Sequence, residues 1–167
     1  MNLFILSLLQ KDIAEYMMDR HIVKIILEAV QMLCCAKRVL DPGDDVPGLY
    51  KITHKNHPVS VWCRASKSNY LWVLDLVEEM HIEWRFRYNH TKTHKSYLVA
   101  QLLRERIPSD DKFASLELTP FAMAMPDEYK SEDVVESYRK YYMSPEKQKI
   151  ASWKTRTKPN WYLENIN

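Results

Sequence analysis

The stretch Asp19-Arg-His21-x-x-Lys24-x-x-x-Glu28-x-x-Gln31 sets four polar side chains of four chemical types at steps of three, four and three residues. On a helix those steps place His21, Lys24, Glu28 and Gln31 on one stripe, with Asp19 near its start. Ile22, Ile25, Ile26, Ala29, Val30 and Leu33 recur at the helical period away from that stripe. A carboxylate beside an imidazole and an amine can move protons, and it can steady positive charge building on a sugar. The plainer account is that Lys24 and Glu28 form an exposed i, i+4 pair worth about 0.2–0.5 kcal/mol. His21 and Gln31 on the same stripe fit that account less well.

A second constellation is Thr53-His54-Lys55-Asn56-His57-Pro58, followed by Arg64 and by Asn69-Tyr70. Its loop is expected to lay His54, Asn56 and His57 over the stripe. Arg64, Asn69 and Tyr70, with Asp19 and Gln31, complete a candidate substrate-binding set. His54-x-x-His57 could supply two metal ligands with Cys63 a third, but the spacing fits no standard zinc motif, and Cys34-Cys35 is not C-x-x-C. No metal ligand is assigned and no cofactor is called for.

Two basic, aromatic-rich stretches follow. In Glu83-Trp84-Arg85-Phe86-Arg87-Tyr88-Asn89-His90, then His94, arginines alternate with aromatics, and we expect aromatics inward and arginines outward. In the second, Tyr138-Arg139-Lys140-Tyr141-Tyr142 precedes Trp153-Lys154-x-Arg156-x-Lys158-Pro159-x-Trp161-Tyr162. Cations interleaved with rings suit phosphate pairing and base stacking. Arg85, Arg87, His94, Arg139, Lys154, Arg156, Lys158 and Trp161 are therefore the candidate nucleic-acid contacts. The competing account is that Trp153, Trp161 and Tyr162 fold back to close the core. Thr119-Pro120-x-x-x-Ala124-Met125-Pro126 reads as a buried crossover with no chemistry assigned.

The elements that must position these groups are helical. The net charge is only +2, yet Arg85–Arg106 holds six Lys/Arg against one acid and Glu136–Lys158 seven against two. One face could therefore hold a polyanion. The chain has two glycines where average usage would give about twelve. That shortage excludes a P-loop, a dinucleotide fingerprint and an EF-hand loop, and it disfavours turn-rich β folds. The periodicity predicts helices over about 11–39, broken near Met18-Asp19 with Asp19 as N-cap, and 59–88, interrupted near Ser66-Lys67-Ser68. It predicts others over 96–106, from Asp127 or Ser131 to Tyr142, and from Ser144-Pro145 to about Thr155, with an extended tail. Leu3–Leu6 carries the only strand signal. The expectation is an all-α, compact single domain over residues 1–167, with four to six helices and long irregular connections. No apolar run reaches membrane-spanning length, and the apolar start has neither a basic flank nor a cleavage site. Three cysteines, an odd number, fit a reducing interior, so an intracellular, non-membrane protein is expected.

Taken together, Asp19-x-His21-x-x-Lys24-x-x-x-Glu28, Thr53-His54-x-Asn56-His57-Pro58, Asn69-Tyr70, Ala124-Met125-Pro126 and Tyr138-Arg139-x-Tyr141-Tyr142 resemble a set of small helical proteins of bacteriophages and large DNA viruses. More distantly, the chain is similar to the phage pyrimidine-dimer DNA glycosylases of the endonuclease V type. Those all-α proteins carry a catalytic glutamate seven residues after a histidine, a spacing met here by His21 and Glu28, and Gln31 stands where they have an arginine. Their C-terminal Arg-Pro-x-Trp-Tyr run is close to Lys158-Pro159-Asn160-Trp161-Tyr162. His57-Pro58 followed by Asn69-Tyr70, Glu83 and Arg87 resembles cellular members.

The resemblance implies base excision, with nicking of the abasic site by an imine to an α-amine. Here Asn2 is too large for efficient methionine removal, so that amine is Met1's. An α-amine near about 7.7–8 is more readily unprotonated than an ordinary lysine near about 10.4. The expected catalytic group is thus Glu28, His21, Lys24 and Met1, acting on double-stranded DNA with a flipped base. His21 would donate a proton or position a phosphate. Two readings stay open beside it: a transferase joining an amine to a modified pyrimidine, and a non-catalytic nucleotide or protein binder.

Overall fold

The computed structural model describes residues 1–163, which are helical and without strands. Eight α-helices run in chain order: α1 Gln10–Tyr16, α2 Asp19–Leu40, α3 Pro58–Ala65, α4 Lys67–Tyr88, α5 Lys95–Glu105, α6 Val134–Tyr142, α7 Pro145–Gln148 and α8 Asn160–Leu163. Five have eight or more residues, and the other three are short. The hydrophobic centre is α2, packed against α3, α4 and α5, while α4 also covers α1. Ile22, Ile25, Ile26, Ala29, Val30 and Leu33 are all buried, as their period requires. No helix among the described residues is long and apolar enough to cross a membrane.

The junctions follow from identifiable groups. Ser66 is extended and ends α3, and its hydroxyl accepts from the Asn69 N–H to start α4. Asn89 adopts a left-handed conformation (φ 49°) and closes α4. Asp133, rather than Asp127 or Ser131, caps α6, and residues 127–129 form a single 3-10 turn.

Four local expectations need correction. Asp19 is the first residue of α2 and not its N-cap; Met18 occupies that place without a side-chain cap. Leu3–Leu6 is buried but is no strand: Phe4 has φ 49°, and side chains satisfy the backbone instead. Glu28 accepts from the Asn2 N–H, and Arg139 Nε donates to the Leu6 carbonyl. Helix α7 stops after four residues, at Gln148 rather than about Thr155, and beyond it the Trp153 indole N–H donates to the Tyr16 carbonyl. The tail is not extended throughout. Residues 160–163 are helical, and Trp153 and Tyr162 are buried, which favours the account in which the tail closes the core.

Candidate functional site

Glu28 lies on the margin between the buried and exposed faces of α2, and its side chain is 11% exposed. Three donors converge on it. The Met1 α-ammonium stands 3.5 Å from Oε2, the Asn2 N–H 3.2 Å from the same oxygen, and Lys24 Nζ 3.3 Å from Oε1. The two cations differ in kind. Lys24 is 70% exposed on a long flexible stem, whereas the Met1 side chain is 3% exposed and packs beneath the amine. The Ser60 hydroxyl points at the Met1 sulfur, 3.7 Å away.

The start of the chain is pinned by Asn2. Its amide N–H donates to the Ala124 carbonyl at 2.6 Å, and its Oδ1 accepts from the Leu3 N–H. Tyr138, fully buried on α6, places its hydroxyl against Asn2 Oδ1, the Ala122 carbonyl and the Ala124 N–H. An amine at a chain end ordinarily frays; this one is fixed by core packing on one side and by Glu28 on the other.

His21 sits about two turns before Glu28, 6% exposed and stacked on Phe4 at 4.7 Å. Its Nδ1 is 2.7 Å from the Tyr142 hydroxyl, which also accepts from the Met18 N–H. The tyrosine proton is therefore the one that goes to Nδ1, leaving the imidazole N–H on Nε2. Burial, helped by Lys147 and Lys24 nearby, pushes His21 down to about 3. The ring is neutral at physiological pH. That corrects the expectation that His21 supplies a proton or a charge to a phosphate; it can donate only a neutral N–H.

His57 closes the site from the loop before α3. Its Nδ1 accepts from the Val59 N–H, capping that helix. Burial and then the Met1 ammonium hold its pKa below the usual histidine value. Lys147 was not anticipated. Its Nζ lies over the rings of Phe4 (5.1 Å) and Tyr141 (5.0 Å), and burial followed by repulsion from Lys24 lowers its pKa. Beside this group opens a cleft of about 530 Å³, lined by Arg20, His21, Val23, Lys24, Tyr88 and Ile150.

No protein-family model, curated protein or solved structure matches this chain.

The structure gathers Met1, Glu28, Lys24, His21 and His57. Gln31 is half-buried one turn further along α2. His54 and Asn56 are exposed on the loop, His54 with φ 48° and its Nδ1 2.7 Å from the Thr53 hydroxyl. Arg64 donates to the Lys55 carbonyl and so braces that loop. Three substrate-binding candidates are structural instead. Asn69 is fully buried, donates to the Trp62 carbonyl and the Thr119 hydroxyl, and accepts from the Thr119 N–H. Tyr70 is fully buried against Phe113. Asp19 is buried and accepts from Arg87 and from the Lys154 N–H.

Arg87 is the largest correction among the nucleic-acid candidates. Its side chain is 0% exposed. It donates to the carbonyls of Ala14, Glu15 and Met17, the open end of α1, and is paired with Glu83 and Asp19. Phe86, expected inward, is exposed in its place. Arg156 is largely spent as well, being forked onto Glu83 with Glu15 at 3.3 Å. His94 caps α5 through Nδ1. Arg139 is half-buried, its guanidinium 5.1 Å over the Trp161 ring. Arg85, Lys154 and Lys158 remain exposed, Lys154 with its Nζ 4.8 Å over Tyr88 at the mouth of the cleft.

Proposed function

We propose that this chain is a DNA-acting enzyme of the N-glycosylase type, with abasic-site lyase activity, using the Met1 amine and the Glu28 carboxylate. The observation that carries the reading is their approach to 3.5 Å, with the amine held by a buried side chain. A primary amine beside a carboxylate is the pairing that imine chemistry at a sugar needs.

In the proposed reaction the Met1 ammonium first releases one proton to water, and its nitrogen then forms a bond to C1′ while the bond from C1′ to the base breaks. The base leaves with that electron pair. Glu28 takes the proton that the nitrogen sheds, and the departing base gains one from water. The C1′–O4′ bond then opens to give the protonated imine, with a proton returned to O4′. Loss of the C2′ proton expels the 3′ phosphate, which is the lyase half. Glu28 also faces the positive charge that develops on the sugar. Lys24, Lys147, Arg20 and Lys154 supply cations around the cleft for the phosphates, and the neutral His21 offers an N–H.

The test is borohydride trapping on a duplex carrying an abasic site. A covalent protein–DNA band is expected, with peptide mapping placing the adduct on Met1 and not on Lys24. Glu28→Gln should cut trapping by on the order of 10²-fold or more while DNA affinity holds. Salt-sensitive DNA binding without any adduct would overturn the lyase reading and leave amine transfer to a modified base.

A further inference from the structure

Helix α5 is covered on one side. Ser96, Ala100 and Leu103 are buried, Tyr97 stacks on His81 of α4 at 4.1 Å, and Arg104 reaches Asp75 and Glu78 of the same helix. The opposite face carries Lys95, Leu98, Leu102 and Glu105, all exposed, with Leu98 at 52% and Leu102 at 40%. Their steps of three, four and three residues are those of a coiled-coil seam. A single exposed leucine needs no explanation. Here two stand one turn apart and are bracketed by opposite charges.

Those charges stand at the wrong ends of their own helix. Lys95 is the first residue of α5 and Glu105 the last. A helix favours acids in its first turn and bases in its last. With Arg104 paired to α4, Lys95 and Glu105 are the charged residues of α5 whose side chains form no ion pair or hydrogen bond among the described residues. A second copy laid antiparallel removes both faults. Under a twofold axis at Ala100, residues equally distant from it on either side meet across the contact. Leu98 and Leu102 each lie two positions from Ala100, and Lys95 and Glu105 each lie five. Leu98 then meets the partner's Leu102. Lys95 meets the partner's Glu105, at the negative end of the partner helix. On the two flanks Val99 faces its own copy and Gln101 faces its own copy, so no like charges of α5 are opposed. A parallel arrangement would set Lys95 against Lys95 and Glu105 against Glu105.

We infer that α5 is the contact helix of a twofold homodimer of this chain, packed antiparallel on the α5 of a second copy. Eleven residues make three turns of helix. Such a contact buries less than the roughly 1,200 Å² of a standard interface, so the dimer is weak and reversible, dissociating between about 1 μM and 1 mM. Its charged pairs lie at the two ends of the contact and fix direction and register, while the leucines between them supply the apolar burial. The dimer needs none of the chemistry proposed above.

Sedimentation equilibrium of the full chain, at low salt and at concentrations up to about 1 mM, provides the test. The wild type should show a monomer–dimer equilibrium. Lys95→Glu should weaken it on the order of tenfold, because both symmetry-related pairs turn from attraction to repulsion. The same change sets an acid at the start of α5, so thermal unfolding should stay level or rise, and a weaker dimer then does not come from a lost fold. Lys95→Glu combined with Glu105→Lys reverses both charges and should restore the wild-type dissociation constant. A wild type that stays monomeric at about 1 mM would leave the face to a different partner and overturn the dimer. A Lys95→Glu variant that associates as tightly as the wild type, or a double variant no tighter than the single one, would overturn it as well.

Discussion

Lowering the pH should destabilise this protein through His21, by an amount the structure sets. The ring is stacked on Phe4, accepts from the Tyr142 hydroxyl, and faces Lys147 and Lys24. A proton added to it would sit in a buried place beside two cations. In the unfolded chain His21 titrates at 6.5, and in the fold at about 3. The folded pKa is depressed, so the unfolded chain binds the proton first. The stability from the neutral ring is complete above about pH 6.5 and drains away as the pH falls toward 3. Between pH 7 and pH 5 the loss is about 2 kcal/mol.

His57, His81 and His94 are also held below the ordinary value, mainly by burial, and tilt the wild type the same way. A difference measurement removes them. His21→Gln keeps an acceptor for Tyr142 and cannot ionise. Urea unfolding of both proteins at pH 7 and pH 5 should show the wild type losing about 2 kcal/mol more than the variant across that interval. Parallel losses would show that His21 is not buried as a neutral ring, and would refute the tautomer and stacking argument with it.

Arg87→Met should cost about 3–5 kcal/mol, because it leaves Glu83 and Asp19 short of a buried partner and opens three carbonyls of α1. Chemical denaturation measures that cost. The salt dependence of DNA binding by the folded variant should not change, and a slope reduced by about one would return Arg87 to the contact surface. Asn69→Ala should cost about 1–3 kcal/mol, since the Trp62 carbonyl and the Thr119 N–H lose their partner. Trapping by its folded fraction should match the wild type, and a selective loss of trapping would place Asn69 at the site.

What the sequence made readable was whatever repeats within a helix or sits at its ends. The period of Ile22 to Leu33 located α2 and turned Glu28 to its margin, and Ser66 marked the α3–α4 junction. Arg87 shows where such reading stops. In its own segment it is one cation among rings, indistinguishable from Arg85. Its partners Ala14 and Asp19 lie 73 and 68 residues away. Only they decide that it enters the core, since a buried guanidinium is tolerated where carboxylates and carbonyls already wait. The same holds for Tyr138 and Tyr142, which stand among the cations of a basic stretch in the sequence and act as struts, one for Asn2 and one for His21.

The candidate site is assembled from pieces with no mutual pattern: a chain end, the middle of α2, a histidine capping α3 and a lysine on a four-residue helix. Helical periodicity could offer Glu28 a neighbour only at Lys24, the exposed pair of least energetic consequence. In the proposed reaction the partner of the carboxylate is the Met1 amine. Its position is set by Asn2 reaching the Ala124 carbonyl, 122 residues away. That tie predicts its own consequence for the chemistry. A change that frees Asn2 should let the amine drift from Glu28 without altering either group, so the proposed chemistry depends as much on the crossover at Ala124 as on α2.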